Sequence, residues 1–271
     1  KLIQKKNWYW DVSVNGYTYA NKMLNLPDEY KVSGMPNGNQ RIYEGKDIYR
    51  WEMRQFAGLD EKGNSLWYMD RDLTDGEGNV VGVEKVTTGD ATEATQYLLE
   101  KSALPDFTGG LNTTLRWKSL DLTIMTNFQF GGYGYDYDFS AFSSANFPMN
   151  RLKNYADAWN PETGKGSAPI WNTNDSNINA SSDRFLISKT YFNLRNITLG
   201  YTFPANWMSK IGIKSVRVYF ACDNVFFASK RKGYDPRTSM GGQGATVALN
   251  SVDGTYYSPI RTTSVGLNIN F

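Results

Sequence analysis

The sequence predicts an all-β chain that builds a transmembrane antiparallel up-and-down β-barrel. Three observations point there. Apolar and polar residues alternate with a period of two in run after run, the mark of strands with one apolar and one polar face. The runs are about ten residues or longer, the length a tilted strand needs to cross a bilayer, whereas strands of soluble proteins cluster nearer five or six. Long and shorter connections alternate, and in up-and-down topology that places every long loop at one end. Alternation alone fits two architectures. A soluble β-sandwich turns its apolar face inward, whereas a membrane barrel turns it to lipid and lines a wet or plugged lumen with the polar face. Run length favours the barrel. So do the aromatics at run ends (Trp8, Trp10, Trp117, Phe128, Phe130, Tyr201, Phe203, Phe271), which suit interfacial girdles. The apolar rows are also single-file, with little apolar material in the loops to cover them.

The expected strands run as follows. Residues 7–20 set Trp8, Trp10, Val12 and Val14 against Tyr9, Asp11, Ser13 and Asn15. Residues 41–59 give a less regular second strand, with Arg50, Glu52 and Arg54 alternating with Tyr49, Trp51 and Met53. A hairpin follows, its apolar row running through Leu111, Leu115, Trp117, Leu120, Leu122, Ile124 and Phe128. Ile197 to Phe203 and Val216 to Cys222 give two more. In the last strand Val265, Leu267, Ile269 and Phe271 oppose Ser264, Gly266, Asn268 and Asn270. Long loops are expected at about 60–108, 132–183 and 229–257, with short helices near Ala94–Glu100 and Tyr155–Trp159. The polar rows carry Arg116, Asp121, Arg217 and Asp223, which should line the lumen and pair with one another or with a plug.

Composition removes several functions. The 271 residues hold 29 basic and 27 acidic side chains, which gives no reason to expect nucleic acid as a partner. With no histidine and one cysteine, Cys222, an internal disulfide and a histidine-based catalytic or metal site are excluded. Cys222 reads as a small packing or lipid-facing residue. The acidic run Asp70, Asp72, Asp75, Glu77 invites a calcium loop, but the EF-hand pattern needs glycine at its sixth position and Asp75 stands there. Asp136 and Asp138 could share a face as paired carboxylates, but nothing apolar is placed to raise either pKa, so they read as loop or pore-lining residues. No catalytic residue, metal or cofactor is expected. The chain opens on Lys1 and passes almost at once into a strand pattern. It is therefore expected to be a piece of a longer protein.

Several segments carry a family pattern. They are Glu44-Gly45-Lys46 with Ile48-Tyr49, Ala57 to Asp60, Pro105 to Gly110, Tyr191 to Tyr201, Val216 to Phe226, Gly233 to Pro236, and Pro259 to Phe271. In this order they resemble the C-terminal part of SusC/RagA-type TonB-dependent outer-membrane transporters, over nearly the whole chain. The resemblance implies a 22-stranded plugged barrel, of which this chain supplies about the last seven strands. It implies import of oligosaccharides across the outer membrane of a Bacteroidetes-type Gram-negative bacterium, with oligopeptides as the alternative cargo. The implied partners are the N-terminal plug and barrel part, a SusD-like surface lipoprotein acting as a lid, and TonB-ExbB-ExbD through that N-terminal part. Phe271 resembles the aromatic end read by the barrel-assembly machinery. On this reading Tyr133, Tyr135, Tyr137, Phe142, Trp171, Tyr256 and Tyr257, in or beside the long loops, are candidates to contact cargo or lid. The competing reading of each is packing inside a compact loop.

Overall fold

The computed structural model describes residues 1–143, 153, 157–172, 175, 177–230 and 259–271, without the side chains of 138 and 211. The chain opens with β1 (Ile3–Lys5) and β2 (Trp8–Tyr17). A long connection carries β3 (Met35–Asn37), β4 (Gln40–Ile42), β5 (Arg50–Arg54), β6 (Phe56–Leu59), β7 (Ser65–Thr74), β8 (Val80–Thr88) and β9 (Gln96–Ser102). The hairpin β10 (Phe107–Trp117) and β11 (Leu120–Phe130) follows. A second long connection carries β12 (Tyr133–Tyr135), helix α1 (Tyr137–Ser143) and β13 (Leu186–Ser188). Then come β14 (Tyr191–Thr202), the one-turn helix α2 (Ala205–Met208), β15 (Ser215–Ser229) and β16 (Thr262–Asn270).

Six long strands, with the short β1 at one edge, form one antiparallel sheet of seven in the order β1-β2-β10-β11-β14-β15-β16. Each barrel strand pairs with its nearest predecessor in that sheet. Connections therefore alternate between its two ends, and the stretches after β2, β11 and β15 all lie at the same end.

Register explains why the apolar residues form rows. Ile3, Trp10, Leu115, Leu122, Leu199, Phe220 and Val265 stand opposite one another, one from each strand. The next row reads Trp8, Trp117, Leu120, Tyr201, Val218 and Leu267. Aromatics bound this band at both ends. Trp8 and Trp117 lie 5.9 Å apart at the short-turn end. Phe107, Phe128 and Phe130 cluster at the loop end, with centroids 6.0 and 5.6 Å apart. Ten residue steps separate Phe107 from Trp117 in β10. That is about 33 Å of strand, or about 25 Å of height at a tilt of about 40°, the thickness of the lipid-facing band of outer-membrane barrels. Leu199, Val218 and Leu267 are exposed rather than gathered in a dry centre. An apolar face this continuous is not left to water.

The expected strand over 41–59 does not join the sheet. It breaks into β4, β5 and β6, and β1 makes up the seven. Trp51 and Met53 enter a globular core instead of facing lipid. The charges between them are paired within the long connection. Arg41 Nε lies 2.7 Å from Glu52, and Arg50 Nη2 lies 2.6 Å from Glu100. The first connection therefore spans 18–106 rather than 60–108. The helix expected near Ala94–Glu100 is strand β9, held open by pairing with β5 (Met53 opposite Tyr97). Of the helix expected at Tyr155–Trp159, residues 157–159 are described, and there Ala158 bridges Ala168 instead of continuing a helix. Residues 155–156 and most of the expected 229–257 loop lie outside the described residues. One mid-strand irregularity also went unforeseen. The register shifts beside Arg195, and Asn224 takes φ 51, so β14 and β15 carry a bulge.

The assignment of faces yields a prediction. Leu267→Arg should cost about 2–4 kcal/mol if it lies near the bilayer midplane, and Asn268→Arg far less. Equilibrium unfolding of the full barrel in lipid vesicles measures both, and equal costs would refute the faces.

Candidate functional site

Two regions carry candidate function: the polar side of the sheet and the domain built by the long connections. On the polar side, Tyr9, Arg116, Asp121, Gly200, Tyr219 and Gly266 form one row across the strands. Arg217 belongs to the neighbouring row but leans across it. Its Nε and Nη2 donate to the two Asp121 oxygens at 2.9 and 2.5 Å. This bidentate pair passes over Gly200, where a Cβ would lie 2.3 Å from Arg217 Nη2. The Arg217 guanidinium also sits 5.0 Å from the Tyr219 ring, and that ring lies flat on Gly266, 2.2 Å from where a Cβ would be. Arg116 stands 5.2 Å above the Tyr9 ring. Three of the four residues expected on the polar wall thus share one layer near the short-turn end. Asp223 lies apart, beside the bulge, where Asn196 Nδ2 donates to it at 2.8 Å.

The two long connections, expected to be separate loops, share one core. Trp51, Met53, Leu99 and Ala103 from the first pack with Tyr135, Phe185 and Leu186 from the second. The seam sits at the sheet rim. Gly131 and Gly132 both take positive φ, which lets the backbone turn against 103–106. Lys189 Nζ donates to the Ala103 carbonyl at 3.1 Å, and burial pushes the Lys189 pKa below the ordinary lysine value. The sequence offered no sign of this latch, because neither partner is unusual until the connections meet.

The aromatic candidates separate by accessibility. Tyr135 is 3% exposed, edge-on to Phe185, with its hydroxyl 3.1 Å from Ser140 Oγ. It is a core residue, which corrects its candidacy for contact. Tyr133 packs half-buried against the same core, and its carbonyl accepts from Trp51 Nε1. Phe142 is half-buried on α1. Tyr137 and Trp171 present exposed rings. Tyr256 and Tyr257 lie outside the described residues. Asp136 is buried, and its Oδ1 accepts from Phe139 N at 2.9 Å, capping α1. The acidic run proves to be a hairpin: Asp70 and Asp72 lie on β7, and Asp75 opens the turn to β8. Among the described residues no group of three or more potential metal ligands gathers.

A sheet with one uninterrupted apolar face, aromatic girdles about a bilayer apart and a polar layer on the other side is the wall of a transmembrane β-barrel. No protein-family model matches the chain. TonB-dependent receptor P3 of Formosa agariphila is 24% identical over 290 residues, covering 99% of this chain and 27% of that protein. TonB-dependent receptor SusC of Bacteroides thetaiotaomicron is 24% identical over 278 residues, covering 100% and 25%. The solved RagAB peptide transporter superposes with a TM-score of 0.75 at 25% identity, over 100% of this chain and 28% of that one. The chain spans about a quarter of the length of the curated relatives it matches. It is a homologue of the SusC/RagA-type TonB-dependent receptors along its whole length.

Two predictions follow from these sites. Gly266→Val should drive the Tyr219 ring from its seat and cost about 1–3 kcal/mol by overpacking, with Gly266→Ala between it and the parent, read by unfolding of the barrel. Tyr97 on β9 donates to Asp70 Oδ1 at 2.6 Å, and burial together with that carboxylate pushes its pKa up to about 12 from the ordinary 10.0. The unfolded chain therefore loses this proton first. The stabilisation is complete below the ordinary value and is lost as pH rises through about 12. Tyrosinate absorbance of the parent against Tyr97→Phe checks the late-titrating group.

Proposed function

We propose that this chain is the C-terminal part of the barrel of an energised importer in the outer membrane of a Bacteroidetes-type bacterium. In this reading a 22-stranded barrel is completed by an N-terminal part that carries the plug and contacts TonB-ExbB-ExbD. The observation that carries it is the in-register apolar face with all long connections at one end, in a chain whose relatives are TonB-dependent receptors. Those relatives are receptors and a transporter rather than enzymes, which supports a non-catalytic role. The long connections then face outward and the short turns the periplasm. Phe271, exposed at the end of the apolar row, serves as the assembly signal. Arg116, Asp121, Arg217 and Asp223 face the lumen, where the Asp121–Arg217 layer stiffens the wall near the plug.

The cargo in this reading is an oligosaccharide, delivered under a SusD-like surface lipoprotein. Its support is the exposed rings of Tyr137 and Trp171, flat faces of the kind that stack on sugar rings. A second reading, oligopeptide cargo, draws on the likeness to the RagAB peptide transporter. Uptake of labelled oligosaccharides and oligopeptides by cells carrying or lacking the full-length gene decides between them. The expected result is loss of oligosaccharide uptake in the deletion and equally on removing TonB. Loss of peptide uptake alone would favour the second reading. Uptake that survives without TonB would make the protein a passive pore.

A further inference from the structure

Three short connections meet at the end of the sheet away from the long ones. They run from Lys5 to Trp8 between β1 and β2, from Trp117 to Leu120 between β10 and β11, and from Phe203 to Ser215 between β14 and β15. Every charged side chain in them is a lysine: Lys5, Lys6, Lys118, Lys210 and Lys214. All five are exposed. The described lysine side chains that do form ion pairs, Lys31 with Asp28 and Lys101 with Asp183, lie on the long connection instead. That connection, residues 18–106, holds 16 acidic against 10 basic side chains, so charge is sorted by end of the sheet.

Register places these lysines at the rim of the lipid-facing band. Residues directly opposite in an antiparallel pair share a side of the sheet. Lys5 stands opposite Trp8 as Ile3 stands opposite Trp10, so it continues the apolar row of β1 by one step. The Lys118 ammonium lies 5.2 Å from the ring of Trp117, an indole of the girdle. Lys214 precedes β15, and the alternation through Val216, Val218 and Phe220 carries it to the same side. Its N–H donates to the Asn270 carbonyl at 2.9 Å, which keeps it in line with the strand. In the third connection the exposed indole of Trp207 stands close in sequence to Lys210, so ring and cation come together again. A lysine at such a place lays its four-carbon stem along the apolar face and delivers its charge to the headgroup layer. Solvation alone would ask only for polar residues of either sign. It accounts neither for the single sign nor for the lipid-facing side.

We propose that Lys5, Lys118 and Lys214, with Lys6 and Lys210 beside them, bind the phosphates of anionic phospholipid headgroups in the leaflet at the short-turn end. This rim of lysines then sets how deep the barrel wall sits in the membrane. The patch adjoins a surface that lipid already covers, because the apolar rows end at it. Its charge favours lipids of net negative headgroup over zwitterionic ones. The inference rests on the importer reading, which puts the short turns at the periplasmic leaflet.

The full-length transporter, purified in mild detergent and offered an equimolar mixture of phosphatidylglycerol and phosphatidylcholine, provides the test, with retained lipid read by native mass spectrometry. The parent should retain phosphatidylglycerol preferentially. The triple variant Lys5→Gln, Lys118→Gln, Lys214→Gln should lower that preference about tenfold. Lys22→Gln, Lys31→Gln, Lys62→Gln, three exposed lysines of the long connection, should leave it unchanged. Heat-modifiable mobility should stay that of the parent in both, because the substituted side chains are exposed and support no core. A preference undiminished in the rim variant, a parent that holds the two lipids equally, or phosphatidylglycerol displaced as readily by inorganic phosphate as by more lipid would overturn the headgroup site and leave the importer reading standing. Lys6→Cys should react with a membrane-impermeant maleimide only after the outer membrane is opened, and labelling on intact cells would overturn both.

Discussion

The in-register pairing of seven strands, each with its apolar residues on the same side, is the constraint on which the molecule depends. A period of two gives every strand an apolar side, but only pairing decides whether those sides form one continuous surface. A slip of one residue between β11 and β14 would set Leu199 against Asp121 or Thr123 and break the face. Hydrocarbon punishes such a slip more than a soluble core does, because lipid offers no partner to a misplaced carboxylate. The mid-strand bulge shows how the constraint is kept. It removes one residue from the count at Arg195 and restores Leu194 and Phe192 to the lipid side.

On the other side of the sheet the constraint is volume. Gly200 and Gly266 leave space that Arg217 and Tyr219 fill, so that the ion pair and the stacked ring lie flush with the wall. The layer ties together β11, β14, β15 and β16 through side chains as well as backbone. It also joins wall to function: a flat, cross-braced inner surface near the short turns suits a lumen that must hold another body of protein.

How much of this was legible in the sequence can be judged from particular stretches. The barrel strands after residue 107 were readable because alternation, length and terminal aromatics all agreed. The 41–59 stretch misled because Trp51 and Met53 alternate with charges just as a lipid-facing strand alternates with a polar wall. The burial of Trp51 and Met53 in the shared core and the ion pairs to Arg41 and Glu100 reveal it as a globular strand. Three-residue β1 was too short to leave a periodic signal. Tyr135 looked like its neighbours Tyr133 and Tyr137 because burial there depends on Phe185, which arrives from far along the chain.

The shared core of the two long connections has a further consequence. Surface loops commonly diverge and recombine one at a time, since each folds on its own. Here Trp51 on one connection and Phe185 on the other complete the same interior, and Lys189 buttons the second onto the backbone of the first. Exchange of a single connection between homologues would therefore leave half an interior without its complement. Grafting a new specificity onto this scaffold means transplanting both connections as a matched pair.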